Sequence, residues 1–389
     1  MTRSLLVVAL LLLLPPGVKA QGGAVADMKL MAPNVGWAER GGRLYWTSDN
    51  GANWKDITPP GDGTFGGIFF LDAEKGWMTI NHDRDRSGDR TFDVVSTDDA
   101  GATWSRTTFH LRPKDYGITI DDPLDLGGSG AGKIVFADPL HGWMNVWFDG
   151  QTMNTWWSFL LLTSDGGRTW KRATGTPQLR NPEMLLVTPG EGWLYGTQFA
   201  SVGALYVTRD GARSWQEVAP ELPAVDESLV IGLPAFEDSR HGFLQVSGIR
   251  GAGPQLKGTL ALLATSDGGR TWKPDRSVAN LDEVTREQYE SPTVVGSDWI
   301  FAAAAGHQPV LTKLGPGDRI DAGTDTAALR PRYKDITQIS FATPTQGWAI
   351  AGGDLVSTSD GGATWTTLTP GPQPHVIQPH GKSIPRPAS

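Results

Sequence analysis

The feature that most constrains the fold of this chain is one eight-residue segment that recurs six times. Each copy begins with Thr, carries Asp at its third position and ends with Trp; the copies span residues 47–54, 97–104, 163–170, 208–215, 265–272 and 358–365. Short apolar runs such as residues 159–162 and 260–263 precede the copies, which indicates a strand entering a tight turn. The repetition therefore predicts a series of β-hairpins.

The residue types of the segment suit a turn. The Asp carboxylate can accept hydrogen bonds from nearby backbone N–H groups, and the Gly two positions later can take positive φ. The closing Trp offers a large apolar face and an indole N–H that can meet a carbonyl. We therefore assign structural roles to six aspartates, Asp49, Asp99, Asp165, Asp210, Asp267 and Asp360. Two copies depart from the pattern, with Asn53 in the Thr position and Ala212 in the Gly position. Their turns are expected to be slightly strained or of another type.

The six segments resemble the Asp-box, the S/T-x-D-x-G-x-T-W signature of bacterial-neuraminidase-type repeats. The resemblance implies a β-propeller in which each box forms the turn between the third and fourth strands of a blade. A second recurring pair supports this architecture, and its seven occurrences are Gly36-Trp37, Gly76-Trp77, Gly142-Trp143, Gly192-Trp193, Gly242-Phe243, Asp298-Trp299 and Gly347-Trp348.

These two elements together predict an all-β fold. Each unit contains four antiparallel strands, so residues 21–370 are expected to form a closed seven-bladed β-propeller. The sixth unit lacks the turn segment, and Gly315-Pro316-Gly317 is expected to make its turn. High Gly and Trp counts, 49 and 16, suit many short strands joined by tight turns.

The N-terminus has the charged, apolar and cleavage regions of a secretory signal peptide. Arg3 precedes the apolar residues 5–14, and the small-residue site ends at Ala20, after which we expect cleavage. The mature chain is expected to be soluble and exported, to the periplasm or the medium. Residues 371–389 are rich in Pro and are expected to form a flexible tail.

Composition excludes several classes of site and partner. The chain has no Cys, which rules out disulfides, thiolate metal sites and a catalytic thiol. Its formal net charge is −8, and loss of Arg3 and Lys19 with the signal peptide makes it more negative. That charge argues against nucleic acid or an anionic membrane as a partner.

Binding is expected on one face, in the loops that join second to third strands and one blade to the next. The candidate binding residues there are His82, Arg84, Arg86, Arg90, Trp156, Trp157, Arg250 and His307. The arginines can pair with carboxylates of a partner. The two Trp side chains can stack on sugars or anchor a protein, although alternation along a strand buries at least one of them. A solvated or packed role is the simpler reading for each residue.

Catalytic and metal sites are weaker hypotheses. Paired acids can carry out glycoside hydrolysis if they converge, and the loop candidates are Asp121, Asp122, Glu227 and Glu290. Asp83, Asp85, Ser87 and Gly88 match the opening of a calcium loop, but Val94 replaces its twelfth-position acid, so no metal is assigned. The Gly-rich residues 127–132 precede a strand, unlike a phosphate loop, and no cofactor is predicted.

Over residues 25–370 the chain most resembles the family of the photosystem II stability and assembly factor. It shares the order of that family's motifs, as in Phe136-Ala137-Asp138 followed by the segment ending at Trp170. The resemblance implies an exported, non-enzymatic scaffold that binds a protein, or a glycan. The alternative is a sialidase-like or xyloglucanase-like hydrolase, but the early blades lack the Arg-Ile-Pro segment of sialidases, and only Tyr289-Glu290 matches their Tyr/Glu pair.

Overall fold

A computed structural model shows antiparallel β-sheets that follow one another along the chain. It describes residues 23–85, 89–119, 126–150, 155–197, 203–219, 228–250, 257–282, 293–295, 299–304, 310–314 and 336–371. The predicted all-β fold is confirmed, and a short 3₁₀ helix, Pro113–Tyr116, is the helix found within those ranges. No helix in the described residues is both long enough and apolar enough to cross a bilayer.

The first three sheets have four strands each. The strands of the first are β1 (Val25–Ala32), β2 (Val35–Arg40), β3 (Arg43–Thr47) and β4 (Lys55–Asp56). Those of the second are β5 (Thr64–Phe70), β6 (Gly76–Arg84), β7 (Arg90–Thr97) and β8 (Ser105–Leu111). Those of the third are β9 (Leu126–Phe136), β10 (Gly142–Gly150), β11 (Trp156–Thr163) and β12 (Lys171–Arg172). Neighbours in each sheet are consecutive in the chain, as in a propeller blade.

The other four sheets vary in size. The fourth has β13 (Arg180–Thr188), β14 (Glu191–Thr197), β15 (Ala204–Thr208) and β16 (Gln216–Glu217). The fifth has β17 (Ser228–Ile231), β18 (Ala235–Phe236), β19 (Gly242–Arg250), β20 (Lys257–Thr265) and β21 (Lys273–Asp282). The sixth has β22 (Thr293–Val295), β23 (Trp299–Ala304) and β24 (Val310–Leu314). The last has β25 (Ile336–Phe341), β26 (Gly347–Ala351), β27 (Asp354–Thr358) and β28 (Thr366–Leu368).

The predicted count of seven four-stranded blades is wrong for the described residues, which form six complete blades. The sixth sheet in the chain has three strands there, whereas the fifth has five because β17 and β18 both pair with β19. The sixth unit also lacks the Thr-Asp-Trp segment that leads into the fourth strand elsewhere. Its expected turn, Gly315-Pro316-Gly317, lies outside the described residues.

The six recurring turns share one hydrogen-bond pattern, shown here for the third blade. Thr163 Oγ1 donates to Asp165 Oδ1 (2.8 Å) and accepts from Gly167 N (3.0 Å), and Asp165 Oδ1 accepts from Thr169 N (2.9 Å). In three other copies, hydrogen bonds from the following Thr or Ser hold the pKa of the carboxyl at about 2, at Asp99, Asp210 and Asp360. The carboxylates therefore accept hydrogen bonds within the turns.

The two turns that depart from the consensus keep the same bonds. Asn53 Nδ2 replaces the Thr hydroxyl and donates to Asp49 Oδ2 (2.7 Å). Ala212 N donates to Thr208 Oγ1 (3.0 Å), and Ala212 adopts a left-handed φ of 65°. Because a Cβ is unfavourable in that region, the expected strain is present at Ala212, but the turn is not of another type.

The Gly-Trp pairs lie at or near the start of the second strands, where they join adjacent blades. The buried Trp143 ring packs between the third and fourth blades with Leu160, Leu186 and Leu194. A Cβ on Gly192 would overlap that ring, so the Gly of one blade makes room for the Trp of the blade before it. The apolar core is accordingly divided into wedges between neighbouring blades.

The Gly-rich segment forms most of β9, the inner strand of the third blade. The Asn81 side chain pairs with the backbone of Ala131 in both directions, accepting from N and donating to O at 2.8 Å each. Thr79 Oγ1 donates to Gly132 O (2.9 Å), and a Cβ on Gly66 would overlap Ala131 O. Glycine here allows two inner strands to approach closely, which is a packing role.

The first and last blades contact each other directly and so close the ring. Gln338 Nε2 donates to Asp27 Oδ1 (2.9 Å) and to Met28 O (3.0 Å). Ser340 Oγ accepts from Leu30 N (3.2 Å). The contacts join side chains of β25 to the backbone and the Asp27 side chain of β1, so the two blades meet without sharing a strand among the described residues.

Candidate functional site

Loops and recurring turns lie on opposite faces of the propeller. In a four-stranded antiparallel blade, the connection from the second to the third strand and the connection to the next blade share one face. We call this the loop face. The turns from the first to the second and from the third to the fourth strand share the other face, which we call the turn face. The predicted binding residues that the structure describes lie near the ends of second and third strands, on or near the loop face.

The hairpin of the second blade contributes the described part of the predicted arginine cluster. Arg84 Nη1 donates to Leu126 O (2.8 Å), which ties the hairpin to the first residue of β9. Arg90 is half-buried; burial, and next the charge of Arg84, lower the pKa of its guanidinium. A third arginine that the sequence did not single out, Arg112, lies 3.4 Å from Asp89 Oδ2 through its Nε. The cluster is therefore partly engaged in holding blades together.

His82 belongs to a buried network centred on Asp93. The Asp93 side chain is 2% exposed, and its Oδ2 lies 2.8 Å from His82 Nε2. Its carboxylate also accepts from Thr108 Oγ1 (2.6 Å) and from Arg106 Nη1, whose Nη2 donates to Pro60 O. Burial alone would raise the pKa of Asp93, but these hydrogen bonds and charges lower it. The position of His82 therefore has a structural explanation.

Trp156 and Trp157 begin β11 at the loop face, and both are half-buried. Trp157 lies opposite Phe148 and packs against the core between the second and third blades. Trp156 lies opposite Asp149, whose pKa is raised by burial and lowered by the charge of Arg180. Of the pair, Trp157 therefore has a role in packing.

Of the other predicted site residues, Arg250 is described by the pairing of its strand. Arg250 ends β19 opposite Lys257, which gives the position of its backbone. Several candidates lie outside the described residues, namely Arg86, Asp121, Asp122, Glu227, Tyr289, Glu290 and His307. The carboxylate pairs of the hydrolase hypothesis therefore stay a prediction. Within the described ranges, no three His, Asp or Glu side chains are grouped so as to hold a metal ion; Ser87 and Gly88 fall outside them.

The sequence analysis missed a cluster of polar side chains at the hub, which we call the hub cluster. It consists of Asp27, Glu39, Lys133, Glu183, Tyr195 and Gln338. Lys133 and Glu183 form a salt bridge from the third to the fourth blade. Glu39 lies directly opposite Asp27 in the register of β1 and β2, just as Tyr195 lies opposite Glu183 in the fourth blade.

A spacing in the sequence could have revealed this cluster. Asp27, Lys133, Glu183 and Gln338 each lie nine positions before the Gly that begins a Gly-Trp or equivalent pair. Equal spacing in a repeat puts residues at the same height on successive inner strands. Polar residues at that one position therefore converge at the hub.

Burial changes the acid–base properties of the hub cluster. Burial raises the pKa of Asp27 despite its bond from Gln338 and the charge of Lys133. Burial, together with the charge of Asp27, raises the pKa of Glu39 to about 7. These carboxyls are therefore costly to ionise in the folded protein.

Glu39→Gln is expected to make the protein more stable at pH 8 and to leave it nearly unchanged near pH 4. The folded state holds the Glu39 proton up to a pKa of about 7, whereas the ordinary value is 4.5. Protonated Glu39 therefore contributes its full share to the free energy of unfolding below pH 4.5. That contribution is lost as the pH rises to 7, because the buried carboxyl must then ionise. The gain at pH 8 should be about 1–2 kcal/mol after allowance for partial exposure. Urea unfolding at the two pH values measures it, with the exposed Glu74→Gln as a control. Equal gains at pH 4 and pH 8 would contradict the assignment.

Antiparallel blades closed around a hub, with loops on one face and recurring turns on the other, define this chain as a β-propeller. No protein-family model matches it. In sequence it is homologous to the chloroplastic photosystem II stability/assembly factor HCF136 of Oryza sativa subsp. japonica, with 22% identity over 306 residues. The match covers 70% of this chain and 64% of the relative, less than two thirds of the relative's length.

Solved structures to which this chain is similar include a YCF48 complex and a sialidase complex. YCF48 bound to D1 peptide has a TM-score of 0.42 and 18% identity, over 79% of this chain and 82% of that one. Trypanosoma rangeli sialidase in complex with sialic acid has a TM-score of 0.43 and 13% identity, over 73% and 52% of the two chains. The predicted resemblance to the assembly factor is confirmed by the sequence match.

Proposed function

We propose that this chain is an exported, non-enzymatic propeller that acts as an assembly or interaction scaffold by binding a protein on its loop face. The observation that carries the proposal is the sequence similarity, over 306 residues, to a stability/assembly factor. A role in assembling other proteins requires a surface that recognises them. Loops held on a rigid ring of blades supply such a surface.

The chemistry of the loop face supports a partner with exposed carboxylates. Arg84, Arg90, Arg112 and Arg180 approach this face from the second to the fourth blade. A guanidinium can hold a carboxylate through two parallel hydrogen bonds. The Arg112–Asp89 pair is 39% and 31% exposed, so a partner can reach it. Trp156 adds an apolar surface nearby.

Two finer features belong to the same proposal: the six turns are Asp-boxes, and residues 1–20 direct export. The shared hydrogen bonds of the turns support the first feature. The short apolar run after Arg3 supports the second.

Partner capture with loop-face variants tests the proposal. The full chain carrying Arg84→Gln, Arg86→Gln and Arg90→Gln is expected to recover at least tenfold less of a specific exported protein than the wild type, since each change removes a carboxylate partner. A matched control removes three charges from the turn face by Arg168→Gln, Lys171→Gln and Arg213→Gln. The captured wild-type protein should begin at Gln21 if the signal peptide is cleaved as predicted.

The result can contradict the proposal in two ways. Equal recovery by the loop-face and control variants would exclude the arginines as binding residues for the partner. A product that retains residues 1–20 would show that the signal peptide is not cleaved. Because Arg84 also bonds to Leu126 O, unfolding curves of both variants must show that they are folded. A variant with native stability and reduced capture supports a binding role.

A further inference from the structure

We propose that a cleft between the fourth and fifth blades, on the turn face, is a second binding site that takes an extended acidic segment of a protein. The site is separate from the loop face, so it goes beyond the function proposed above. It is argued from the shape of the cleft, its charge and the strand edge beside it.

The cleft has a volume of about 730 Å³. One wall is formed by the end of β15 and by residues 216–219, which include β16; the other is the turn of residues 269–273. Trp272 lies in the lining, is 8% exposed, and has a buried indole N–H with no acceptor in the structure. The equivalent indole of Trp170 donates to Gly167 O (3.1 Å), whereas that of Trp215 in the fourth blade also has no acceptor. A volume of about 730 Å³ is large enough for several residues of another chain.

Its charge is opposite to that of the protein as a whole. Three cations line the cleft, Arg209, Arg270 and Lys273, against one carboxylate, Glu217. A second carboxylate, Glu191, lies 3.6 Å from Arg209 Nε, so the net positive charge rests mainly on Arg270 and Lys273. The full chain has a formal net charge of −8. A positive cleft on an acidic protein attracts an anionic ligand, whereas the acidic surface around the cleft repels anions.

Two of these cations are held in place by the protein itself. Arg270 Nη1 donates to Asp267 O (2.8 Å) within its own turn. Arg209 Nη2 donates to Gly268 O (3.1 Å), and its guanidinium lies 5.9 Å from the centre of the Trp193 ring. Arginines that are fixed before binding lose less conformational freedom when they meet a carboxylate.

A strand edge beside the cleft favours an extended peptide over a small anion. β16 is the outermost strand of its sheet, so among the described residues one edge of its backbone has no neighbouring strand. An added strand can pair with such an edge while its alternate side chains enter the adjacent cleft. Acidic side chains would meet Arg209, Arg270 and Lys273, and apolar ones would meet Val218 and Trp272.

The repeat supplies a matched control for the test. Residues 163–171 and 265–273 have the same sequence, so Arg168 and Lys171 are the counterparts of Arg270 and Lys273 in the third blade. Arg168 Nη1 donates to Asp165 O (3.2 Å) in the same way. Arg270→Gln with Lys273→Gln, and Arg168→Gln with Lys171→Gln, therefore make equal changes to charge and turn chemistry.

The probe is a synthetic peptide that alternates valine and glutamate, compared with its valine–glutamine counterpart by calorimetry on the full chain. The wild type is expected to bind the glutamate peptide with a dissociation constant below about 1 mM. The glutamine peptide, and the glutamate peptide with the Arg270→Gln/Lys273→Gln variant, should each bind at least tenfold more weakly. The third-blade variant should bind like the wild type.

Three outcomes would overturn the proposal: no binding of the glutamate peptide at millimolar concentration, equal binding of both peptides, or equal weakening in both variants. The loop-face proposal is judged separately, because capture of its partner should be unaffected by Arg270→Gln/Lys273→Gln. Loss of peptide binding in the Arg84, Arg86 and Arg90 variant instead would place the acidic ligand on the loop face and also exclude the cleft.

Discussion

Asp93→Ala is expected to lower the free energy of unfolding by about 1–3 kcal/mol, the cost of removing a buried acceptor from its hydrogen-bond donors. Its side chain is 2% exposed and accepts from Arg106 and Thr108 while contacting His82. Removal leaves the guanidinium and imidazole without their carboxylate. It also loosens the link from Arg106 to Pro60 O, which joins the second blade to the segment that precedes it.

Asp98→Ala is the control for this prediction. Asp98 lies five residues away in the same blade and pairs with Lys75 at 2.6 Å, but its side chain is 82% exposed. An exposed pair contributes at most about 1 kcal/mol. Urea unfolding monitored by Trp fluorescence measures both variants. Similar losses in the two would show that the Asp93 network is no more important than a surface pair.

Gly192→Ala is expected to destabilise the protein by about 2–3 kcal/mol, since an added methyl group overpacks a filled core. The new Cβ would overlap the ring of Trp143 from the preceding blade and lie 2.9 Å from Leu185 O. Neither neighbour can yield easily, because Trp143 is 3% exposed and Leu185 O is backbone. The change should therefore separate the third and fourth blades.

Gly190→Ala, two residues earlier, is the matched control. A Cβ there would find Thr188 Oγ1 at 4.0 Å as its nearest neighbour, and Gly190 does not have a left-handed φ. A change of within about 0.5 kcal/mol is expected, as for most surface substitutions. The comparison uses the same unfolding measurement. A tolerated alanine at Gly192 would contradict the role assigned to glycine in the Gly-Trp pair.

The hairpins of this protein were predictable because their chemistry is local. The bonds of the third-blade turn join Thr163, Asp165 and Thr169, which are at most six residues apart. The same pattern recurs wherever the segment does, and it tolerates Asn53 and Ala212. The Gly-Trp pairs marked the second strands for a related reason: in the described pairs the Gly lies against a large aromatic ring, such as that of Trp143 at Gly192 and that of Phe136 at Gly142.

Site residues were harder to predict, because their roles depend on distant partners. Arg84 was predicted to meet a partner's carboxylates, and the structure adds a bond to Leu126 O across a blade boundary. His82 was predicted to bind a partner, and the structure adds its contact with Asp93. The count of complete blades was overestimated at the sixth unit, where no recurring turn leads into a fourth strand.

The sequence by itself determined the β-propeller fold, the position of the turns and the order of the strands, since each depends on residues close together in the chain. Only the tertiary structure decided which side chains meet at the hub and which cations line the cleft. Asp27 and Gln338 are separated by most of the chain, and they come together because ring closure places the first blade against the last. Contacts of that kind depend on the geometry of the whole ring, which no single repeat encodes.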